Sequence, residues 1–336
     1  MEFRGGKNHW YINVPFIYSS SLFYGAKKHI KKWALKASDK SKILIAYSLT
    51  CYTLKAMKYA KSLDPNIKTL IIVPDLPQYT YINSGRPVVK IKNLLGKKKV
   101  LRAISKWSPC VDLWGLFSEH MKDEIRICKN YFVMEGIASD MFKTVVSQRI
   151  NGNYTFDILY AGGLVSKYGV SLLLEAFEMI GDPDIRLVIA GKGELQRQIE
   201  NIAEKDHRVQ YLGEIDRIKL LSLEAGADLL INPRINSGIF TRYSFPSKNM
   251  EYLSSGTPML GYKLDGISDI YDDYINYFKE PTAECLASSI MELKSSYEYA
   301  KNKAMFGKRF VLENKNKYVW GEKILNLVDE TDKQSG

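Results

Sequence analysis

Cysteine is scarce in this chain of 336 residues: Cys51, Cys110, Cys128 and Cys285 stand far apart and match no metal-site or disulfide-framework spacing. Histidine is equally thin, and His9, His29 and His207 form no cluster that could act as a ligand set. No apolar run reaches the roughly 18 to 20 residues of a membrane span. The first residues, Met1-Glu-Phe-Arg-Gly-Gly-Lys-Asn-His9, lack the apolar centre of a signal peptide. These absences disfavour a disulfide scaffold, a metal-built fold and an integral membrane protein, and a reducing cytoplasm is the compartment expected.

What is abundant is apolar sequence cut into short runs. A 46% hydrophobic content over this length can bury two substantial cores. Strand-like runs alternate with helical stretches, as in parallel α/β proteins. In the first half these runs are Ile43–Tyr47, Thr69–Val73, Val111–Phe117 and Tyr131–Met134. In the second half they are Phe156–Ala161, Ile185–Ala190, Val209–Leu212, Asp228–Ile231 and Met259–Tyr262. Between the halves, Lys143–Tyr154 is polar, centres on Asn151-Gly-Asn153 and reads as a linker. Two doubly wound domains with a cleft between them are predicted.

The formal charge of +11 concentrates partly in Lys27-Lys-His-Ile-Lys-Lys-Trp33 and Gly96-Lys-Lys-Lys-Val-Leu-Arg-Ala-Ile-Ser-Lys-Trp107. In the second stretch Val100, Leu101, Ile104 and Trp107 recur at helical spacing among the cations. Such a helix can lie on an anionic membrane surface; the plainer alternative is a helix packed on its own sheet with solvated lysines. Nucleic acid is not expected as a partner, because no zinc spacing, helix-turn-helix pattern or aromatic-basic sheet motif accompanies the charge.

One stretch carries chemistry: Tyr243-Ser-Phe-Pro-Ser-Lys-Asn-Met-Glu-Tyr-Leu-Ser-Ser-Gly-Thr-Pro-Met-Leu260. If Phe245 and Pro246 open a helix, Ser247 and Lys248 lie near its positive end and Glu251 follows one turn later on the same side. A cation, a carboxylate and a helix N-terminus together suit a phosphorylated, hydroxyl-bearing ligand, although an ordinary surface helix would carry the same letters. Gly256 ends the predicted helix, and a strand follows.

This segment, with the later Asp265-Gly-Ile-Ser-Asp269, resembles the nucleotide-sugar site of family 4 glycosyltransferases of the GT-B fold, in the bacterial capsule and exopolysaccharide branch. The likeness is good from about Phe156 to Glu284 and weak before that. It implies two Rossmann-like domains: 1–150 on the acceptor side, 151–312 binding the nucleotide sugar, and 313–336 as a C-terminal helix returning to the first domain. It also implies transfer of a hexosyl unit from a nucleotide diphosphate sugar, most simply a UDP-sugar, to a saccharide or lipid-linked acceptor. By the same resemblance the anomeric configuration is retained and no metal is required; if the acceptor is lipid-linked, the basic amphipathic stretches acquire a purpose at the inner membrane face. The amino end looks short for that family: Gly5-Gly6 follows no apolar strand and Tyr11–Tyr18 is interrupted by Pro15, so the usual first strand, loop and helix are expected to be absent.

Donor-binding residues follow from the glycine loops and the motif. Gly162 and Gly163 end a strand, where a phosphate can approach backbone N–H groups. The resemblance places an Arg and a Lys in this loop, but the chain has Gly163 and Tyr168 there, with Lys167 adjacent. Lys248 and Arg234 then become the better cations for the diphosphate. Gly191 and Gly193 frame a second loop, readable as a nucleotide contact or as a plain strand-to-helix turn. Tyr243 stands where the family has the first Glu of its Glu-x7-Glu pair, and Glu251 is the second. On the acceptor side Asp75 and His120, each following a strand, are the catalytic candidates, against turn-capping and structural alternatives. Asp182-Pro-Asp184 is read as a turn and not a metal motif. Two rivals remain: a truncated or non-catalytic partner that binds nucleotide sugar, and a peripheral membrane or polyanion-binding protein on an enzyme scaffold.

Overall fold

A computed structural model describes residues 18–36, 41–80, 98, 100–127, 130–149 and 154–333. The chain divides into two compact units, residues 1–134 with 324–336, and residues 135–323. The architecture is α/β, with a parallel sheet in each unit, as the alternating runs predict.

In the first unit α1 (Tyr18–Ala34) precedes β1 (Ile43–Tyr47), α2 (Cys51–Leu63) and β2 (Lys68–Val73). A short turn of helix (α3, Pro77–Thr80), helical residues 100–107 (α4), β3 (Leu113–Leu116), α5 (Met121–Ile125) and β4 (Tyr131–Val133) follow. The strands lie in the order β1-β2-β3-β4, all parallel. Thr50 and Thr53 form a capping box that starts α2. Ile30 and Ala34 of α1 pack with Ala60 of α2 and Ile67 just before β2. Asp112 fastens the start of β3 to β2 by accepting from Thr69 N at 2.8 Å and pairing with Lys61 at 2.7 Å. Among the described residues β1 is an edge strand, with Ile45 and Tyr47 exposed. The apolar run Tyr11–Tyr18, interrupted by Pro15, lies outside the described residues up to position 17, and Tyr18 begins α1.

The second unit holds β5 (Phe156–Ala161), β6 (Ile185–Ala190), β7 (Val209–Gly213), β8 (Leu229–Asn232), β9 (Met259–Tyr262) and β10 (Asn276–Phe278). Its helices are α6 (Val170–Glu178), α7 (Gln196–Lys205), α8 (Arg217–Gly226), α9 (Ser247–Ser255), α10 (Ala283–Ser295) and α11 (Tyr297–Asn314). The last helix, α12 (Lys317–Lys333), begins in this unit. The sheet order β10-β9-β8-β5-β6-β7 puts the reversal of winding between β5 and β8. Both faces are covered, which explains why the strands are mostly apolar; the two charges that interrupt β5 and β6, Asp157 and Arg186, are buried and pair with each other at 2.8 Å. Ile158, Tyr160, Leu187 and Ile189 pack beneath α6 and α10, while the alternate residues Leu159, Val188 and Leu230 pack towards α8, α9 and α11.

Residues just after β4 belong to this second unit for visible reasons. Lys315 pairs with Glu135 at 2.9 Å and Trp320 Nε1 donates to Gly136 O at 3.1 Å. Further on, Gln148 N–H donates to Ser222 O at 3.0 Å, so residues 144–149 of the polar segment lie along the unit.

Candidate functional site

The carboxyl ends of β5 and β8 meet at the switch point, the usual place for a ligand in a doubly wound sheet. Three loops there pack backbone against backbone. A Cβ on Gly191 would lie 1.9 Å from Gly162 O, and one on Gly193 would lie 2.3 Å from Leu164 O. Gly169 similarly faces Pro233 O, where a Cβ would come within 2.0 Å. Of the predicted phosphate donors, Gly162 N–H is engaged with Ala190 O at 3.0 Å and Gly191 N–H with Gly213 O at 2.8 Å. These two glycines therefore serve loop packing through their own backbone bonds. Gly163 lies against the Tyr168 ring, and its carbonyl accepts from Tyr160 OH at 2.8 Å.

Helix α9 is bound to this edge by two side chains. Tyr252, fully buried, sets its hydroxyl 3.3 Å from Ala161 N at the end of β5. Asn249 joins Asn232 at the end of β8, at 2.6 Å. The helix begins after Pro246 and stops at Gly256, whose φ of +81° is a left-handed helix end that favours glycine. The predicted limits of this helix thus match the structure, and Ser247 is exposed in its first turn.

The structure brings Lys248 and Glu251 together and adds two partners from α8. Lys248 Nζ donates to Glu224 Oε1 at 3.0 Å and to Glu251 Oε1, while Glu251 Oε2 pairs with Arg217. Glu224 is completely buried, and among the described residues its Oε2 receives no donor. Burial, reinforced by the Glu251 carboxylate and opposed by Lys248, pushes the Glu224 carboxyl up to about 8. Burial also works against the Glu251 charge, but Arg217, Lys248 and the Glu224 carboxyl outweigh it and hold Glu251 below the usual range. Sequence reasoning missed Arg217 and Glu224. The available signal was an acid set in the apolar stretch Leu220-Leu-Ser-Leu-Glu224.

Arg234, two residues past β8, has its guanidinium 5.6 Å from the centre of the Tyr168 ring and 5.1 Å from that of Phe240, with Ser244 Oγ at 3.4 Å. Lys167 is exposed, with its ammonium 5.0 Å from the Tyr168 ring centre. Tyr243, at the position of the family's first Glu, is buried.

In the first unit, Asp75 follows β2 and His120 follows β3, so both stand at the carboxyl edge of neighbouring strands. Asp75 is exposed, and its charge, after burial, helps raise the Tyr47 hydroxyl. His120 caps α5 with no side-chain bond to the helix. Beside it Glu119 accepts from Lys122 at 2.5 Å and from Tyr131 OH at 2.7 Å, which lowers the Glu119 carboxyl. Asp182 accepts from Asp184 N at 2.9 Å, as in an Asx turn, and pairs with Lys294 at 2.6 Å.

Residues 147–310 match the family model described as glycosyl transferases group 1. Among solved structures the chain is similar to Anabaena Alr3699/HepE in complex with UDP, at 13% identity and a TM-score of 0.63, covering 95% of this chain and 85% of that one. It is similar to sucrose-phosphate synthase from Thermosynechococcus elongatus, at 15% identity and a TM-score of 0.64, covering 95% and 80%. A glycosyltransferase from Rickettsia africae gives 16% identity and a TM-score of 0.64, covering 97% and 84%. No curated protein matches the sequence. The fold is that of GT-B glycosyltransferases. Family match and fold together indicate a glycosyltransferase.

Proposed function

We propose that this chain transfers a hexosyl unit from a UDP-sugar to a surface-polysaccharide precursor, with the anomeric configuration retained, as a family 4 enzyme of the capsular and exopolysaccharide type. The observation that carries the reading is the placement of α9, whose Tyr252 and Asn249 fix Lys248 and Glu251 beside the ends of β5 and β8. HepE, which has the same fold, binds UDP and UDP-glucose in its crystals. Lys248, Arg234 and Lys167 would meet the diphosphate, with Ser247 and the N-terminus of α9 adding donors. Glu251 would accept from sugar hydroxyls, and the loops of Gly162, Gly163, Gly191 and Gly193 would wall the pocket. Asp75 and His120 would act on the acceptor side. The diphosphate charge would be met by these groups without a metal.

A lipid-linked acceptor would bring the protein to the inner face of the membrane, where the exposed Lys28, Lys31 and Lys32 of α1, flanked by exposed Tyr24 and Leu35, suit anionic headgroups. The buried tyrosine at position 243 favours a second reading, a partner that binds nucleotide sugar without turnover.

Calorimetric titration with UDP tests the site. Lys248→Ala and Glu251→Ala should each weaken binding roughly tenfold or more, the loss of a charge-assisted contact. Wild-type affinity in both folded variants would remove the assignment. UDP-sugar hydrolysis by the purified protein separates enzyme from silent partner.

A further inference from the structure

The four-residue chain Arg217, Glu251, Lys248 and Glu224 holds one more carboxyl than a simple pair needs. Glu251 already answers both cations, accepting from Lys248 through Oε1 and pairing with Arg217 through Oε2. Glu224 nevertheless approaches the same ammonium from α8, with no exposed surface and with Oε2 lacking a donor. A buried carboxylate with an unmatched oxygen is costly, and two carboxylates around one lysine repel. Replacing Glu224 by an apolar residue would be the simple packing solution, yet an acid occupies the position.

We propose that Glu224 is a positioning residue of the donor site, holding the Lys248 ammonium from beneath α9 without cancelling its charge, so that the cluster presents net positive charge to the diphosphate. This rests on the donor-site reading above. As a neutral acid Glu224 accepts from Lys248 through Oε1 and can give its proton to Glu251. The groups that face it are Lys248, Glu251 and Tyr252 of α9, while Arg217, at the start of its own helix, joins the cluster through Glu251. With Glu224 neutral, two cations stand against one anion; with Glu224 ionised, the cluster has no net charge. The raised carboxyl, at about 8, places that change above neutral pH. Affinity for a diphosphate should therefore be full below this value and fall as pH rises through it.

The test is UDP affinity by calorimetry between pH 7 and 9, in wild type, Glu224→Gln, Glu224→Leu and Lys248→Ala. Wild type should lose about tenfold across that range, the equivalent of one charge-assisted contact. Glu224→Gln keeps an acceptor for Lys248 and a donor for Glu251; it should bind like wild type at pH 7 and lack the pH step. Glu224→Leu should bind about tenfold more weakly at pH 7. An equal pH step in wild type and Glu224→Gln, or Glu224→Leu binding within about twofold of wild type, overturns the proposal. If Glu224→Leu does not fold, the first comparison alone decides. Unchanged binding in Lys248→Ala, or none in wild type, would instead bring down the donor-site reading and this proposal with it.

Discussion

Gly191→Ala is the sharpest probe of how the switch-point loops are built. Gly191 has φ +138° and would bring a Cβ to 1.9 Å from Gly162 O. Relief would require the Gly162 carbonyl to retreat by roughly 1.5 Å, since ordinary contacts begin well beyond 3 Å. Gly162 N–H donates to Ala190 O at 3.0 Å, Gly191 N–H to Gly213 O at 2.8 Å, and Tyr211 OH to Gly191 O at 2.8 Å, so any shift stretches several bonds. Backbone strain of about 1–3 kcal/mol, plus about 1 kcal/mol for each of the three weakened bonds, gives a loss of about 4–6 kcal/mol. Gly213→Ala is the matched control. Its φ is +66° but nothing lies within 4 Å of the added Cβ, so conformational strain of about 1–2 kcal/mol acts alone. Urea denaturation followed by far-UV circular dichroism would measure both. A Gly191→Ala protein no less stable than Gly213→Ala would show that the loops can part, and the backbone-packing account would fail.

Two further expectations concern function. Transfer from a UDP-sugar should survive a chelator; activity lost in EDTA and restored by manganese would show that Lys248, Arg234 and the helix N-terminus do not carry the diphosphate charge alone. The protein should sediment with vesicles containing phosphatidylglycerol and not with pure phosphatidylcholine, and Lys28→Glu/Lys31→Glu/Lys32→Glu should abolish this; equal sedimentation with neutral vesicles would remove the electrostatic membrane reading.

The sheets were legible where strands are buried on both faces. Phe156–Ala161 and Ile185–Ala190 coincide with their predicted runs because each has apolar neighbours above and below. β10 was not, since Asn276-Tyr-Phe278 is three residues with no alternation to read. At the site, Pro246 and Gly256 marked α9 because they act locally, through a fixed φ and a left-handed end. What Lys248 and Glu251 would touch was not local. Their partners Glu224 and Arg217 lie far back along the chain, and only the packing of α8 against α9 brings them within bonding distance. Gly-x-Gly was readable for a related reason only as a sign of close approach, and at Gly191 the approaching group is another loop's carbonyl.

The same packing bears on the cations that the loop after β5 lacks. Tyr168 stands where the family resemblance calls for a lysine, and a tyrosine cannot neutralise a diphosphate. Gly169, the next residue, presses so closely on Pro233 that the loop after β8 is fixed against it. That contact carries Arg234 to the face of the Tyr168 ring, where a guanidinium is attracted by the ring's negative face and the ring limits its motion. A charge absent from one loop is thus supplied, in space, by its neighbour across the switch point. A guanidinium is a planar fork of donors, a shape suited to two phosphate oxygens at once. On the donor-site reading proposed above, the loss of the expected lysine is consequently weak support for a silent site, because Arg234 and Lys248 together would keep the cation count near the ends of β5 and β8.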